Sequence, residues 1–124
     1  MYGNINPYWQ AIADGFYFSD ATKTKYTFKQ TLGIVDSGWT ALSGPSNEIK
    51  FIKDWITRNM VGVKVDANGY TSFSCASYYS TLPSVYIRLG GYWIQALPED
   101  YVIKLGTDSC TLLITVNEDF WALG

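Results

Sequence analysis

The sequence predicts a mostly β fold with one main helix near residues 45–58. Apolar and polar residues alternate along several short segments, Gly-containing turns separate those segments, and one segment repeats apolar residues at helical spacing. The chain has 124 residues, of which 48% are hydrophobic and 16% charged. This composition is sufficient for one core and is not typical of disorder, so we expect a single domain.

The first strands are predicted in the N-terminal third of the chain. Ile12, Phe16 and Phe18 mark early strand positions, and the alternating segment 26–28 leads into an apolar strand over 32–35. The six residues 33–38 read Gly-Ile-Val-Asp-Ser-Gly. A carboxylate is therefore expected where a buried strand gives way to a tight turn.

Two hairpins are predicted further along the chain. Valines alternate over 61–65, residues 66–69 (Asp-Ala-Asn-Gly) form the turn, and segment 70–75 returns with Thr71 and Phe73 on one face. The second hairpin is predicted from a strand over 85–89, a Gly-Gly turn at 90–91 and a return over 92–94. An apolar strand is also predicted over 112–116.

The main helix is predicted to begin near Pro45 and to end at about Arg58, because proline is favoured in a first helical turn. Ile49, Ile52 and Ile56 recur at helical spacing, with charged residues between them. We interpret this stripe as the face that packs on the core.

Asp36 is the candidate catalytic residue. A carboxylate at the apex of a turn can accept hydrogen bonds from backbone amides and from Ser37, which fix its position and tune its acidity. Asp-Ser-Gly is also a common turn, so this motif alone does not decide the function. Asp14 and Asp66 lack a following Ser-Gly turn, and we interpret both as plain turn residues.

Several classes of site and partner are excluded by composition. The chain has no histidine, so histidine-dependent triads and histidine-ligated metals are ruled out. Its net charge is −2, and its nine Lys and Arg residues are not clustered, which argues against nucleic acid. No run approaches the roughly 18 apolar residues of a membrane helix. We expect no cofactor, metal, nucleic acid or membrane partner.

Aromatic residues make up 17% of the chain, with ten Tyr and five Trp. Such a content is compatible with a carbohydrate-binding or peptide-binding platform, but also with an aromatic-rich β core. Because the aromatic residues are scattered along the chain, we favour the core interpretation.

In order and spacing, these motifs resemble the C-terminal half of pepsin-like aspartic proteases, the family of pepsin and cathepsin D. There an apolar-apolar-Asp-Thr/Ser-Gly turn, here 34–38, is followed by Gly-Pro and a helix. Phe-Trp-Ala-Leu-Gly at 120–124 resembles the element beside the catalytic turn. Further similar segments are Tyr8-Trp9-Gln10, Leu82-Pro83 and the stretch from Leu97 to Ile103.

The resemblance implies a single pepsin-like acid protease lobe over residues 1–124. This lobe would be an incomplete C-terminal lobe, without the N-terminal lobe and the last strands. It also implies hydrolysis of a polypeptide substrate by a water activated between two aspartates, of which Asp36 would be one. The implied partner is an N-terminal lobe or another chain that covers the open edge.

The implied supporting residues of the site are Ser37, Gly38, Trp39, Thr40 and Gly124. Ser37 keeps the hydroxyl that the family's Thr uses to bind the opposite lobe. At the position of Trp39 the family carries Ser or Thr, whose hydroxyl bonds the catalytic carboxylate. The resemblance also places the strand 120–123 beside the strand 32–35, and Gly124 close to the carboxylate.

Cys75 and Cys110 either form a disulfide or remain buried free thiols, as judged from the residues alone. The resemblance implies the disulfide, because the family's C-terminal lobe carries one there. A bridge would indicate the secretory pathway, a lysosome-like or vacuolar compartment, or the extracellular space. Met1 is not followed by a signal segment, so we expect that it is not the natural beginning.

Three functional hypotheses follow. The first is one half of an aspartic endopeptidase, completed by a separate N-terminal lobe. The second is a catalytically inactive pepsin-like module for binding or assembly. The third, which we favour least, is a homodimeric protease similar to the retroviral enzymes, in which two copies of Asp36 meet. For the isolated chain we expect no activity.

Overall fold

A computed structural model describes residues 9–21, 25–35 and 42–124 of the chain. The strands are β1 (Trp9–Phe18), β2 (Tyr26–Val35), β3 (Leu42–Gly44), β4 (Lys64–Val65), β5 (Thr71–Phe73), β6 (Val85–Leu89), β7 (Tyr92–Ala96), β8 (Val102–Leu105), β9 (Ser109–Leu112), β10 (Ile114–Val116) and β11 (Trp121–Leu123). The helices are α1 (Ser46–Thr57), α2 (Cys75–Tyr78) and α3 (Pro98–Tyr101), with short 3-10 helices at Ser19–Ala21 and Tyr79–Thr81. No helix within the described ranges has the length and apolar character needed to cross a membrane.

The strands form two sheets. The larger has seven strands in the order β10-β3-β11-β2-β1-β6-β7, and the smaller has four in the order β4-β5-β9-β8. Within the larger sheet, β1, β2, β6 and β7 pair antiparallel, whereas β11 pairs parallel with β2 and β10 parallel with β3. The predicted mostly β fold with one main helix is confirmed.

Helix α1 covers one face of the larger sheet. Its stripe of Ile49, Ile52 and Ile56 is buried, as the spacing predicted. Trp55 stacks on Phe18 of β1, with 5.3 Å between ring centroids. Full burial of an isoleucine side chain such as Ile49 or Ile52 contributes about 1.5–3 kcal/mol, so the buried isoleucines fasten the helix to the core.

The first predicted strand of the Asn-Gly hairpin is shorter than its valine pattern suggested. Only Lys64–Val65 is a strand, and Val61 is 79% exposed. Gly62 has a φ of 76°, in the left-handed region, which interrupts an extended segment. The turn itself is as predicted, because Gly69 donates its N–H to the carbonyl oxygen of Asp66 at 3.0 Å.

Two other strand boundaries differ from the prediction. The apolar segment 112–116 is divided at Leu113, whose N–H donates to Tyr101 and whose carbonyl accepts from Leu42. Leu113 thereby connects the two sheets, with β9 in one and β10 in the other. The return strand 70–75 ends at Phe73 because Ser74 caps helix α2, accepting the N–H of Ser77.

Cys75 and Cys110 form a disulfide, with 5.2 Å between their Cα atoms. Cys75 lies at the start of α2 and Cys110 in β9. The predicted pairing is confirmed, and the bond fastens a short helix to the smaller sheet.

Candidate active site

Strand β11 lies between the two strands that flank the candidate catalytic turn. Leu123 pairs with Val35 of β2 on one side and with Leu42 of β3 on the other. Val35 directly precedes Asp36, and Leu42 is the first described residue after the turn. The predicted pairing of the strand at 120–123 with the strand at 32–35 is therefore confirmed.

Five of the sequence-predicted site residues lie outside the described residues: Asp36, Ser37, Gly38, Trp39 and Thr40. Their proposed roles therefore stay predictions. Gly124 is described and exposed, and it directly follows Leu123, whose strand partner is Val35.

Strands β11 and β3, which lie beside the candidate catalytic turn, are buried. Trp121 and Ala122 have no exposed surface and Leu123 is 6% exposed. On the neighbouring strand, Leu42 is fully buried and Ser43 is 1% exposed. A close-packed interior resists displacement, so β3 and β11 are held by packing as well as by their strand hydrogen bonds.

Trp121 is the largest side chain of strands β11 and β3. Its ring stacks on Phe28 of β2, with 5.0 Å between centroids. A Cβ at Gly44 would lie 2.6 Å from the indole, so β3 needs glycine at this position. The indole N–H of Trp121 has no hydrogen-bond partner among the described residues. Burying an unpaired donor costs free energy, and the packing of the ring must offset this cost.

Gly33 allows a second close approach, two positions before the end of β2. A Cβ there would collide with Cδ2 of Leu89 and would lie 3.3 Å from Cβ of Ala13. The glycine therefore lets the Leu89 side chain of β6 reach across β1 to β2. Beside it is an apolar depression of about 320 Å³. The depression is lined by Gln10, Ala11, Gly33, Val35, Leu89, Gly90, Tyr92 and Ile94.

The loop that leads into β11 is fastened to the start of helix α1. Glu118 accepts the backbone N–H of Ser46 through Oε1 at 3.1 Å, and Asn117 donates its N–H to the carbonyl oxygen of Gly44 at 2.7 Å. The backbone N–H and the hydroxyl of Ser46 lower the pKa of Glu118 below its usual value. Sequence reasoning missed this contact because its partners are 72 positions apart.

The sequence predicts that Asp66 and Asp14 are both turn residues. Asp66 lies in a turn, whereas Asp14 does not. Asp66 accepts the N–H groups of Asn68 and Tyr70 in the hairpin turn. Asp14 lies within β1 and binds the Arg88 guanidinium through two hydrogen bonds of 2.7 and 3.0 Å. These bonds hold the pKa of Asp14 below its usual value. The Asp-Gly sequence suggested a turn, but the chain instead continues with a β-bulge between Ala13 and Gly15.

The acidic side chains of the described residues do not gather into a metal site. No group of three or more Cys, Asp or Glu residues in these ranges could hold a metal ion.

Residues 4–124 match the family model described as eukaryotic aspartyl protease. Pepsin A of Rhinolophus ferrumequinum is 29% identical over 98% of this chain and 33% of its own length. Napsin-A of Mus musculus is 36% identical over 58% of the chain and 16% of its own length. Cathepsin D of Gallus gallus is 32% identical over 66% of the chain and 19% of its own length.

The chain thus spans about a third of the length of pepsin A. The family match nevertheless extends over almost all of its residues, and the fold and the disulfide agree with it. The chain therefore belongs to the eukaryotic aspartyl protease family.

Proposed function

We propose that the chain is one lobe of an aspartic endopeptidase and that Asp36 is one of its two catalytic carboxylates. The observation that carries this proposal is the position of β11 between β2 and β3. β3, which follows residues 36–41, and β11, which pairs with both neighbouring strands, are buried throughout, which is suitable for presenting a carboxylate in a fixed position. The family match over residues 4–124 supports the reaction class.

The proposed chemistry needs a second carboxylate close to Asp36. Two carboxylates roughly 3 Å apart cannot both ionise, so they share one proton and can hold a water between them. One carboxylate takes a proton from the water as the water attacks the peptide carbonyl. The protonated carboxyl donates to the carbonyl oxygen. Asp36 would supply one of these two groups.

The second carboxylate would come from an N-terminal lobe or from another chain. Exposed apolar residues beside the proposed site support such a partner. Val35 is 38% exposed and Tyr92 is 77% exposed, and both line the apolar depression next to the end of β2. Covering this surface with another lobe would remove apolar area from water.

The disulfide supports an oxidising location for this lobe. We infer the secretory pathway, a lysosome-like or vacuolar compartment, or the extracellular space, and a polypeptide as the substrate.

A second candidate function is a catalytically inactive module for binding or assembly. Trp39 favours this alternative, because an indole stands where the resemblance places a hydroxyl. An indole N–H can donate a hydrogen bond but has a different reach and a larger volume. The module would keep the fold without turnover.

The test is an assay with a fluorogenic peptide at about pH 3 to 5, with the chain alone and together with its N-terminal lobe. We expect turnover only with both lobes. Asp36→Asn should lower kcat by about 10⁴-fold or more, as for other residues that act as a unit. Asp66→Asn is the matched control, because it removes a carboxylate from an exposed turn. Equal activity of the Asp36 variant and wild type would contradict the proposal.

Trp39→Ser distinguishes the two candidate functions. If the indole prevents catalysis, the complete wild-type protein is inactive and this variant gains pepstatin-sensitive turnover. Turnover by the chain alone that is second order in its concentration would instead favour the homodimer.

A further inference from the structure

A group of aromatic side chains lies on the face of the larger sheet opposite the core. Tyr17 of β1 and Tyr86 of β6 are paired across the strands, and their rings stack with 4.4 Å between centroids and 13° between planes. Trp93 of β7 contacts Tyr17 edge to face at 4.8 Å. All three side chains are half-buried. We call Tyr17, Tyr86 and Trp93 the aromatic platform.

Strand alternation separates this platform from the core and from the apolar depression. Phe16 and Phe18 flank Tyr17 and are buried on the side of α1. Leu89, which lines the depression, is adjacent to Arg88, and neighbouring residues of a strand point to opposite faces. The platform is therefore a different surface from the proposed active site.

The indole of Trp93 lies over the backbone of Gly15. A Cβ at Gly15 would lie 3.5 Å from Cη2 of Trp93, in contact distance. The ring of Trp93 therefore reaches from the edge strand β7, past β6, to the backbone of β1. An aromatic surface held in this way loses little conformational entropy when a ligand binds.

Among the described residues, two cations border the platform. The Arg88 guanidinium lies 5.6 Å from the ring centroid of Trp93, and its two hydrogen bonds to Asp14 leave three of its five N–H groups for other acceptors. Nζ of Lys25 lies 5.6 Å from the Tyr17 centroid and 5.9 Å from the Trp93 centroid. Within the described ranges, no carboxylate forms an ion pair with Lys25.

This surface combines aromatic ring faces with the Lys25 ammonium, which forms no ion pair with a carboxylate of the described residues, and with the three remaining N–H groups of Arg88. The negative face of an aromatic ring attracts weakly positive C–H groups, and the C–H face of a pyranose presents several of these. Ammonium and guanidinium groups bind carboxylates. Together these groups match a sugar ring that carries a carboxylate.

We propose that the aromatic platform binds an acidic saccharide of the uronic acid type. Its pyranose rings pack on Trp93 and Tyr17, and its carboxylates pair with Lys25 and Arg88. Single-stranded nucleic acid also stacks on aromatic rings, but it needs a positively charged groove along its backbone. Among the cations of the described residues, only Lys25 and Arg88 lie beside the platform rings, which is fewer cations than such a groove needs.

The experiment is a titration of the chain with a hexasaccharide of alternating glucuronic acid and N-acetylglucosamine. Tryptophan fluorescence and amide NMR shifts report binding. We expect a saturable shift at amides of β1, β6 and β7, and a Kd that rises as salt screens the charges. Trp93→Ala should weaken binding by about tenfold or more, and Lys25→Glu by about three- to tenfold.

Lys104→Glu is the matched control for the Lys25 variant. Lys104 lies over the ring of Tyr79, with 4.1 Å between Nζ and the centroid, on the smaller sheet. The Lys104→Glu variant removes a similar Lys–Tyr pair and the same charge. The proposal requires that the Kd of this variant for the saccharide equal that of wild type. If the Trp93→Ala variant unfolds, the Lys25→Glu variant still tests the proposal. An unchanged amide spectrum of Lys25→Glu shows that the fold of this variant is intact.

Four results would overturn the proposal. The first is no saturable shift up to about 10 mM saccharide. The second is equal affinity for the neutral hexamer of N-acetylglucosamine, which lacks the carboxylates. The third is equal or tighter binding of a single-stranded oligonucleotide. The last is an equal loss of affinity in the Lys25 and Lys104 variants, which would indicate a general charge effect.

Discussion

The larger and the smaller sheet are stabilised in different ways. In the larger sheet, large side chains such as Phe18, Leu42 and Trp121 are fully buried beneath α1 or between strands. The smaller sheet has strands of two to four residues, and Val65 and Leu105 are 66% and 50% exposed. Both sheets contribute to one buried core, to which the smaller sheet adds Phe73 and Leu112, and a covalent bond additionally joins the smaller sheet to α2.

The charged contacts follow the same division. Glu118 joins the loop before β11 to α1 in the larger sheet. Asp108 accepts the N–H of Ala76 and the hydroxyl of Ser74, which connects the loop before β9 to α2 beside the disulfide. In each region a carboxylate caps a helix. In the larger sheet this helix is α1, which packs on the sheet, and in the smaller sheet it is α2, which the disulfide bonds to the sheet.

Trp121→Ala is expected to give the largest loss of stability. Truncation of a fully buried tryptophan leaves a cavity and costs about 3 to 5 kcal/mol. Urea unfolding should show this as a lower midpoint with little change in slope. Amides of β2 and β11 should exchange faster, because the cavity would lie beside Phe28 of β2 and Gly44 of β3.

Two variants sharpen this prediction. Trp121→Phe keeps a ring and removes the N–H, which has no partner among the described residues, so it should cost less than Trp121→Ala. Trp93→Ala removes a half-buried tryptophan from the outer face and should also cost less. A loss as large in the Trp93 variant would mean that burial does not distinguish the two positions.

Removing the disulfide with Cys75→Ala and Cys110→Ala is expected to have the second largest effect. In the chain-entropy model, a loop of 35 residues gives about 3 to 4 kcal/mol. Hydrogen exchange should increase most in β5, β9 and α2. The comparison between the sheets would fail if β2 and β11 exchanged as fast as β9 in this variant.

Acid should give the smallest and most local effect. The pKa values of Glu118 and Asp108 are both lowered, chiefly by backbone N–H groups of Ser46 and Ala76. Their contribution to stability is present above the pKa of the unfolded chain and is lost as pH falls through the lower folded pKa. Glu118→Gln should therefore flatten the acid dependence of exchange at Ser46, and Asp108→Asn that at Ala76.

Glu99→Gln serves as the control for both acid variants, since Glu99 is exposed and bonds neither amide. If Asp108→Asn altered exchange at Ser46 as much as at Ala76, the two regions would respond to acid as one unit.

Local patterns predicted most of the fold. Alternation identified β6 and isoleucine spacing identified α1, because each has one buried and one less buried face. Apolar positions indicated β1 and β2, and the Gly-Gly turn indicated β7. The short strands β3 and β11 are buried throughout and show no alternation. For β11, the family resemblance supplied what periodicity could not.

Contacts between distant residues were beyond a reading of local patterns. Nothing near Glu118 in the sequence indicates that it caps α1, and the pairing of Asp14 with Arg88 depends on the register of β1 with β6. The short helices α2 and α3 were also missed, since four residues are too few to show a helical period.

The placement of β11 has a consequence for how the chain folds. Its partner strand β2 is formed early in the sequence, yet Gly33–Val35 cannot complete their pairing until Trp121–Leu123 have been synthesised. Contacts of such high sequence separation form slowly, because a long loop must close first. During translation, β1 and β2 can pair at once, whereas the edge of β2 beside the candidate catalytic turn stays open. The region that carries the proposed chemistry is thus expected to be among the last to reach its native arrangement.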